Sequence, residues 1–232
     1  MTKNKETVLE KAKRIYPENL FGESFNDGPL GGCNVFGDPA THYPIMWKYL
    51  TEKLDIRSVI DIGCGFGYSL SFFKDNLGLK VIGIEGSKKV AELALNSEHI
   101  IQHDYSKGPL EVQSADLAWS SEFVEHVEEK HIDNFVQTFK CAKYLAITYA
   151  HPMQSGHHHV NENTQDYWID ILSKKGFRFD NILTEELRAK TLEDFNNPTS
   201  PVVQSCMKHW KHALSYPYHF ERRGLFFINE QA

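Results

Sequence analysis

The sequence predicts an α/β fold: a doubly wound, mostly parallel seven-stranded sheet with helices on both faces and a helical insertion before the last strand. Three observations predict it. Short apolar runs rich in β-branched residues recur from residue 57 onward. Stretches with apolar residues at helical spacing separate most of them. Several runs are apolar throughout instead of alternating, as strands covered on both faces must be.

The elements follow in order. Residues 2–16 read as a short polar helix, and 17–44, rich in Gly, Pro, Asn and Asp, as an irregular segment. "IMWKYLTEKLD" (45–55) resumes helical spacing through Ile45, Leu50 and Leu54. "RSVIDIG" (57–63) is the first strand of the sheet, stopped by glycine, and "YSLSFFKDNLG" (68–78) the helix after it. "LKVIGIEG" (79–86) is the second strand, followed by the helix "SKKVAELALNS" (87–97) with Ser87 as N-cap. "HIIQHD" (99–104), "ADLAWSS" (115–121) and "YLAITYA" (144–150) are further strands, and "EEKHIDNFVQTFKCA" (128–142) is the helix between the last two. "TQDYWIDILSKKG" (164–176) is a helix capped by Thr164, and "FRFDNILT" (177–184) a strand. Residues 185–215 read as partly helical, broken by prolines at 198–201, and "RGLFFINE" (223–230) as a last strand at a sheet edge.

Bulk composition narrows the function. The 232 residues are 41% apolar and 24% charged, ordinary for a globular chain, and suffice for a sizeable core. A net charge of −6 speaks against a long phosphate-tracking groove, so nucleic acid is disfavoured as a partner without being excluded. Cys33, Cys64, Cys141 and Cys206 are scattered with no CxxC pair, which favours a reduced, cytoplasmic chain over a zinc ribbon or a dithiol centre. The N-terminus lacks the apolar region of a signal peptide. No apolar run approaches the roughly 20 residues of a membrane span, so no membrane partner is expected.

The most informative stretch is "SVIDIGCGFGYSL", with Asp61, Gly63, Gly65 and Gly67 spaced D-x-G-x-G-x-G between a strand and a helix. Glycines there let the backbone turn tightly and approach a ligand. The helix N-terminus beyond offers free N–H groups to an anion. A dinucleotide fingerprint would need a third glycine at position 68, which is Tyr68.

The pattern resembles motif I of the class I S-adenosylmethionine-dependent methyltransferases, and the resemblance covers about residues 45–183. It implies a Rossmann-like fold and S-adenosylmethionine as cofactor. Glu85, at the end of the second strand, would then accept hydrogen bonds from the ribose hydroxyls. Asp104 would meet the adenine edge, Tyr105 would flank the ring, and Ser120 would join the cofactor-facing set at the end of the fourth strand. Residues 1–44 would cover the cofactor pocket, with His42 and Tyr43 the residues to watch. The methyltransferase domain would be 45–232, with 187–222 an acceptor-side lid carrying Phe195, Trp210, Tyr216, Tyr218, Phe220, His209, His212 and His219.

The fourth strand runs into "SSEFVEHV", which is similar to the E-x-x-E-H segment of two groups: the ubiquinone-biosynthesis-type small-molecule methyltransferases and the metal-dependent small-RNA 3′-terminal 2′-O-methyltransferases. On a helix Glu122, Glu125 and His126 would share a face about 100° wide. Such a set can hold a divalent cation, or His126 can act as a base that Glu125 orients. The resemblance to the RNA group makes His159, five residues before Thr164 in "HHHVNENT", a fourth ligand beside Glu122, Glu125 and His126. His157 and His158 read as loop, and His151 as a second candidate base. The expected activity is O- or N-methylation of a small molecule or sugar. The alternatives are metal-dependent 2′-O-methylation of a nucleic-acid end and a non-catalytic S-adenosylmethionine-binding module. The acceptor and the oligomeric state stay open.

Overall fold

The structure is a computed structural model that describes residues 6–21, 24–154, 156–197, 204 and 218–232. Its centre is a seven-stranded sheet. The strands are β4 (Ser58–Ile62), β5 (Lys80–Glu85), β6 (Ile100–Gln102), β7 (Ala115–Ser120), β8 (Ala142–Ile147), β9 (Phe177–Phe179) and β10 (Leu225–Asn229), in the order β6-β5-β4-β7-β8-β10-β9. Pairs from β6 to β8 are parallel, and β10 runs antiparallel between β8 and β9. The chain reverses direction in strand order next to β4, so the carboxyl ends of β4 and β7 open a crevice there.

Helices cover both faces. On one, α5 (Ile132–Phe139) and α6 (Gln165–Lys174) bury Phe135, Phe139, Trp168 and Leu172 against Ile60, Ala118 and Leu145. On the other, α2 (Pro44–Lys53) and α7 (Asn181–Asn196) bury Trp47, Leu50 and Leu187 against Val59, Leu117 and Phe226. The short helices α3 (Tyr68–Ser71) and α4 (Lys88–Leu93) follow β4 and β5. Ser87 caps α4 by accepting from the Val90 N–H, and Thr164 caps α6 from the Tyr167 N–H. The helix α8 (His219–Arg223) leads into β10.

Four expectations change. The first helix, α1, is confined to Val8–Ile15 among the described residues, and its Thr7–Glu10 capping box sets its start. The supposedly irregular 17–44 contains a small antiparallel sheet of β1 (Leu20–Phe21), β2 (Ser24–Phe25) and β3 (Cys33–Asn34). It packs with α1 on Val90 and Phe66 through Val8, Ala12, Phe25 and Val35. The stretch 177–184 is a strand only to Phe179, because Asp180 accepts from the Leu183 N–H and starts α7. The last strand lies inside the sheet, not at its edge: Leu225, Phe226 and Phe227 are fully buried, with β9 outside them.

The glycine turn shows why sequence spacing matters. Gly63, Gly65 and Gly67 all take left-handed backbone angles, +73°, +53° and +74°. A Cβ on Gly67 would also meet the Leu95 carbonyl oxygen at 2.6 Å. Gly67→Ala is therefore expected to cost about 2 kcal/mol from left-handed strain and backbone clash together. A thermal melt should fall by roughly 4–8 °C.

Candidate active site

Between the N-terminal segment and the strand ends lies a cavity of about 800 Å³. The carboxyl ends of β4, β5 and β7 form its floor through Gly63, Glu85 and Ser121. Residues from Ser24 to His42 roof it, and His157 and His158 close one side. His157 Nε2 lies 2.7 Å from the Gly28 carbonyl oxygen, tying the two covers together.

The residues expected to meet the cofactor fall into two groups. Asp61, Gly63, Gly65, Glu85, Asp104 and Tyr105 all line the cavity. Asp61 accepts from the Ser69 hydroxyl at 2.5 Å, and burial pushes its carboxyl up to about 7. Glu85 accepts from the Gly65 N–H at 3.0 Å and the Ser87 N–H at 2.8 Å, so it braces the glycine turn; burial pushes it up to about 7 as well. Asp104 accepts from the Ser106 N–H. Tyr105 lines the wall with its ring, and its hydroxyl is anchored on Thr138 at 2.7 Å. Gly67 and Ser120 do not belong to the lining: Gly67 caps the start of α3 behind the turn, and Ser120 is fully buried, its hydroxyl donating to the Ile62 carbonyl and linking β7 to β4. Ser121, one residue on, faces the cavity instead.

The E-x-x-E-H segment departs from its expected helix. Glu122 has φ +52°, and only Val124–His126 forms a single 3₁₀ turn. The left-handed residue breaks the helical register, so the three side chains do not share a face. Glu122 turns toward the C-terminal end of the chain: its carboxylate accepts from the Thr148 hydroxyl at 2.8 Å and from Arg223 Nη2 at 3.0 Å. Its own N–H donates to Thr148 Oγ1 at 2.7 Å, which holds the backbone in that conformation. Among the described residues, Glu125, His126 and His159 form the cluster able to hold a metal ion, with ligand atoms within 4.8 Å of one another, and Glu122 stands outside it.

The cluster has two further features. Glu125 is fully buried and neither carboxylate oxygen has a hydrogen-bond partner, so burial, with Glu122 adding to it, pushes its carboxyl well above the usual range. His159 Nδ1 lies 2.9 Å from the Gln154 carbonyl and 3.1 Å from Glu162 Oε1. Two oxygens there require a proton on Nδ1. The His126 ring meets that of His159 edge-on at 5.0 Å and also lines the cavity. Burial and the neighbouring His159 push His126 down to about 4, so it is neutral at pH 7. The loop register comes from the backbone: the Glu125 carbonyl accepts from the N–H groups of Val160 and Asn161.

The remaining expected residues lie elsewhere. His151 is exposed, rests edge-on against Tyr149 and is absent from the cavity wall. His42 lines the cavity but is buried against Trp47 and Phe72, while Tyr43 is core, its hydroxyl accepting from the Phe220 N–H. Tyr218 and Phe220, expected in the lid, are core residues as well. Trp210, Tyr216, His209, His212 and Cys206 lie outside the described residues, so of the 187–222 segment only 187–197, 204 and 218–222 are described. Sequence reading missed the roles of Arg223 and Thr148 as partners of Glu122, since 101 and 26 residues separate them from it.

Residues 60–145 match a family described as a methyltransferase domain. No curated protein matches the chain in sequence. The phosphoethanolamine N-methyltransferase 2 of Haemonchus contortus, solved with phosphomonomethylethanolamine and S-adenosylhomocysteine, is 18% identical with a TM-score of 0.50. That likeness covers 80% of this chain and 52% of that one, so the chain spans about half of that relative's length. The plantazolicin methyltransferase BpumL, solved with a triazolic desmethylplantazolicin analogue and S-adenosylhomocysteine, is 16% identical with a TM-score of 0.50, over 81% and 83% of the two chains. Both share the fold. The strand order, the glycine turn between β4 and α3, and the match of residues 60–145 to a methyltransferase domain all agree with the fold that these two solved methyltransferases share.

Proposed function

We propose that the protein transfers the methyl group of S-adenosylmethionine to an oxygen or nitrogen of a small acceptor, such as a metabolite or sugar, in the cytoplasm. The observation that carries this reading is the single cavity whose wall unites Asp61, Gly63, Gly65 and Glu85 with Glu122 and His126. Its volume suits a cofactor with a small acceptor. The bound cofactor supplies an electrophilic methyl group, and the residues do the rest. Glu85 and Asp104 hold the ribose and adenine, and Asp61 braces the turn through Ser69 and meets the methionine end. Gly65 and Gly67 let the backbone come close. His126, neutral and facing the cavity, takes the acceptor's proton. The free thiols of Cys33, Cys64 and Cys141 suit a reducing compartment, and no described helix is long and apolar enough to cross a membrane.

A second reading is favoured by one observation, the unpartnered buried carboxylate of Glu125. A divalent cation held by Glu125, His126 and His159 would satisfy it and lower the pKa of an acceptor hydroxyl. Two imidazoles and one carboxylate suit Mn²⁺, Fe²⁺, Co²⁺ or Zn²⁺ better than Mg²⁺. A nucleic-acid end fits less well as the acceptor, since seven carboxylates and one lysine, Lys107, line the cavity. The experiment is turnover of labelled S-adenosylmethionine against a metabolite panel, using protein purified without an affinity tag and assayed for metal. Transfer that survives a chelator supports the metal-free reading; stoichiometric metal and loss of transfer on chelation support the other. Cofactor binding without transfer to any acceptor would leave a binding module.

A further inference from the structure

The second polar group at the cavity, Asp38–Glu122–His219–Arg223, plays no part in the metal cluster; it joins three distant parts of the chain, two of which, at Asp38 and Glu122, line the cavity. Glu122 stands one residue beyond Ser121, just past the carboxyl end of β7, where open parallel sheets put their ligands. Asp38 comes from the N-terminal cover, and both carboxylates line the cavity. His219 Nε2 lies 3.7 Å from Asp38 Oδ2 and 3.7 Å from Glu122 Oε2, so these two oxygens are no more than 7.4 Å apart. Arg223 is buried behind Glu122 and does not line the cavity. Its charge fixes Glu122, while among the described residues Asp38 has only the titratable His219 beside it, an imidazole whose pKa, against its burial, the two carboxylates raise.

A second observation concerns the same end. His42, four residues from Asp38 on the same 3₁₀ turn, lines the cavity at 2% exposure, and its Nε2 has no hydrogen-bond partner. Burial keeps this imidazole neutral, down to about 3, so it adds a polar atom without adding charge. Trp119, Phe123 and Tyr68 supply aromatic surface to the cavity. An anionic acceptor is disfavoured at the lining itself, since seven carboxylates line the cavity and its lone lysine, Lys107, sits 4.0 Å from Asp104.

We infer that Asp38 and Glu122 form the acceptor subsite and that it takes a molecule carrying a cationic nitrogen beside an apolar body. The inference rests on the methyltransferase reading and narrows it to an acceptor class. Glu122 and Asp38 accept hydrogen bonds from the nitrogen. Thr148 and Arg223 are positioning residues: Thr148 holds the left-handed backbone of Glu122 and one carboxylate oxygen, and Arg223 holds the other, while the residue lines the cavity.

The test is binding, not turnover. The full chain, saturated with S-adenosylhomocysteine, is titrated with 2-phenylethylamine, 2-phenylethanol and 3-phenylpropionate by ligand-observed NMR. The amine should bind at least about tenfold more tightly than the alcohol, and the carboxylate should not bind. Glu122→Gln and Asp38→Asn should each lower amine affinity by about tenfold and leave the alcohol unchanged. Asp38→Asn changes a half-exposed residue, so it remains informative if Glu122→Gln does not fold. Amine binding equal to that of the alcohol, or unaffected by Asp38→Asn, overturns the inference while cofactor binding still stands. Failure of S-adenosylhomocysteine itself to bind overturns the methyltransferase reading and this inference with it.

Discussion

A His126→Ala variant is expected to lose about 10²–10⁴-fold in turnover while binding S-adenosylhomocysteine within about twofold of the parent. His126 sits on the cavity wall, and the carboxylates of Asp61 and Glu85 bond to Ser69, Gly65 and Ser87 and not to it, so its removal should spare the cofactor. Its environment suits a proton acceptor: burial and His159 keep the ring uncharged at pH 7, and the backbone of His157 and His158 orients it. Free imidazole should restore part of the activity if the ring acts as a base. If the ring is instead a metal ligand, the variant loses bound metal and imidazole restores activity only with metal added. Undiminished turnover would remove His126 from the reaction altogether.

Asp61→Asn is expected to raise the melting temperature of the ligand-free protein at pH 8 by about 2–4 °C and to abolish the stabilisation that S-adenosylhomocysteine gives. Asp61 is buried with one short hydrogen bond from Ser69, and its carboxyl is pushed from 3.8 up to about 7. The folded chain therefore holds this proton more tightly than the unfolded chain does. Stability from this group is full below about pH 4 and is lost as pH rises toward about 7, so the ionised carboxylate destabilises the empty protein at pH 8. An amide removes that cost. Glu85 behaves in the same sense, so wild-type stability should fall through the same window. Melts at pH 5 and pH 8, with and without S-adenosylhomocysteine, measure both effects. A variant less stable than wild type at pH 8 would show that the hydrogen bonds to the carboxylate outweigh its desolvation. For scale, a ligand at a hundred times its dissociation constant adds about 2.7 kcal/mol to the wild type.

Asp61 also shows how a local pattern can carry a site. The acid, the three glycines and the helix start lie within nine residues, so their geometry depends on backbone angles that sequence alone dictates. Glu85 and Asp104 could be placed at the cavity for a related reason: Glu85 ends β5, Asp104 follows two residues after the end of β6, and parallel strands in register bring their ends together. Ser120 was misjudged by one position, because successive residues of a strand face opposite sides: Trp119 and Ser121, on either side of it, reach the cavity and Ser120 does not.

The acceptor side was legible only in part. "HHH" divides as spacing suggested, with His159 joining Glu125 and His126; His157 and His158, expected to be plain loop, form part of the cavity wall. Glu122 could not be read correctly. Its left-handed backbone is held by Thr148 from β8's end and its carboxylate by Arg223 from α8, partners 26 and 101 residues away. Helical periodicity describes only the neighbours along the chain.

The sequence by itself determined the alternation of strands and helices, the glycine turn and the acids at the strand ends, because each depends on contacts within a few residues or on a period of the backbone. The tertiary structure alone decided that β10 inserts inside the sheet and that Glu122 leaves Glu125 and His126 for Thr148 and Arg223. Those outcomes depend on burial and hydrogen bonds between segments far apart in the chain, which no local pattern encodes.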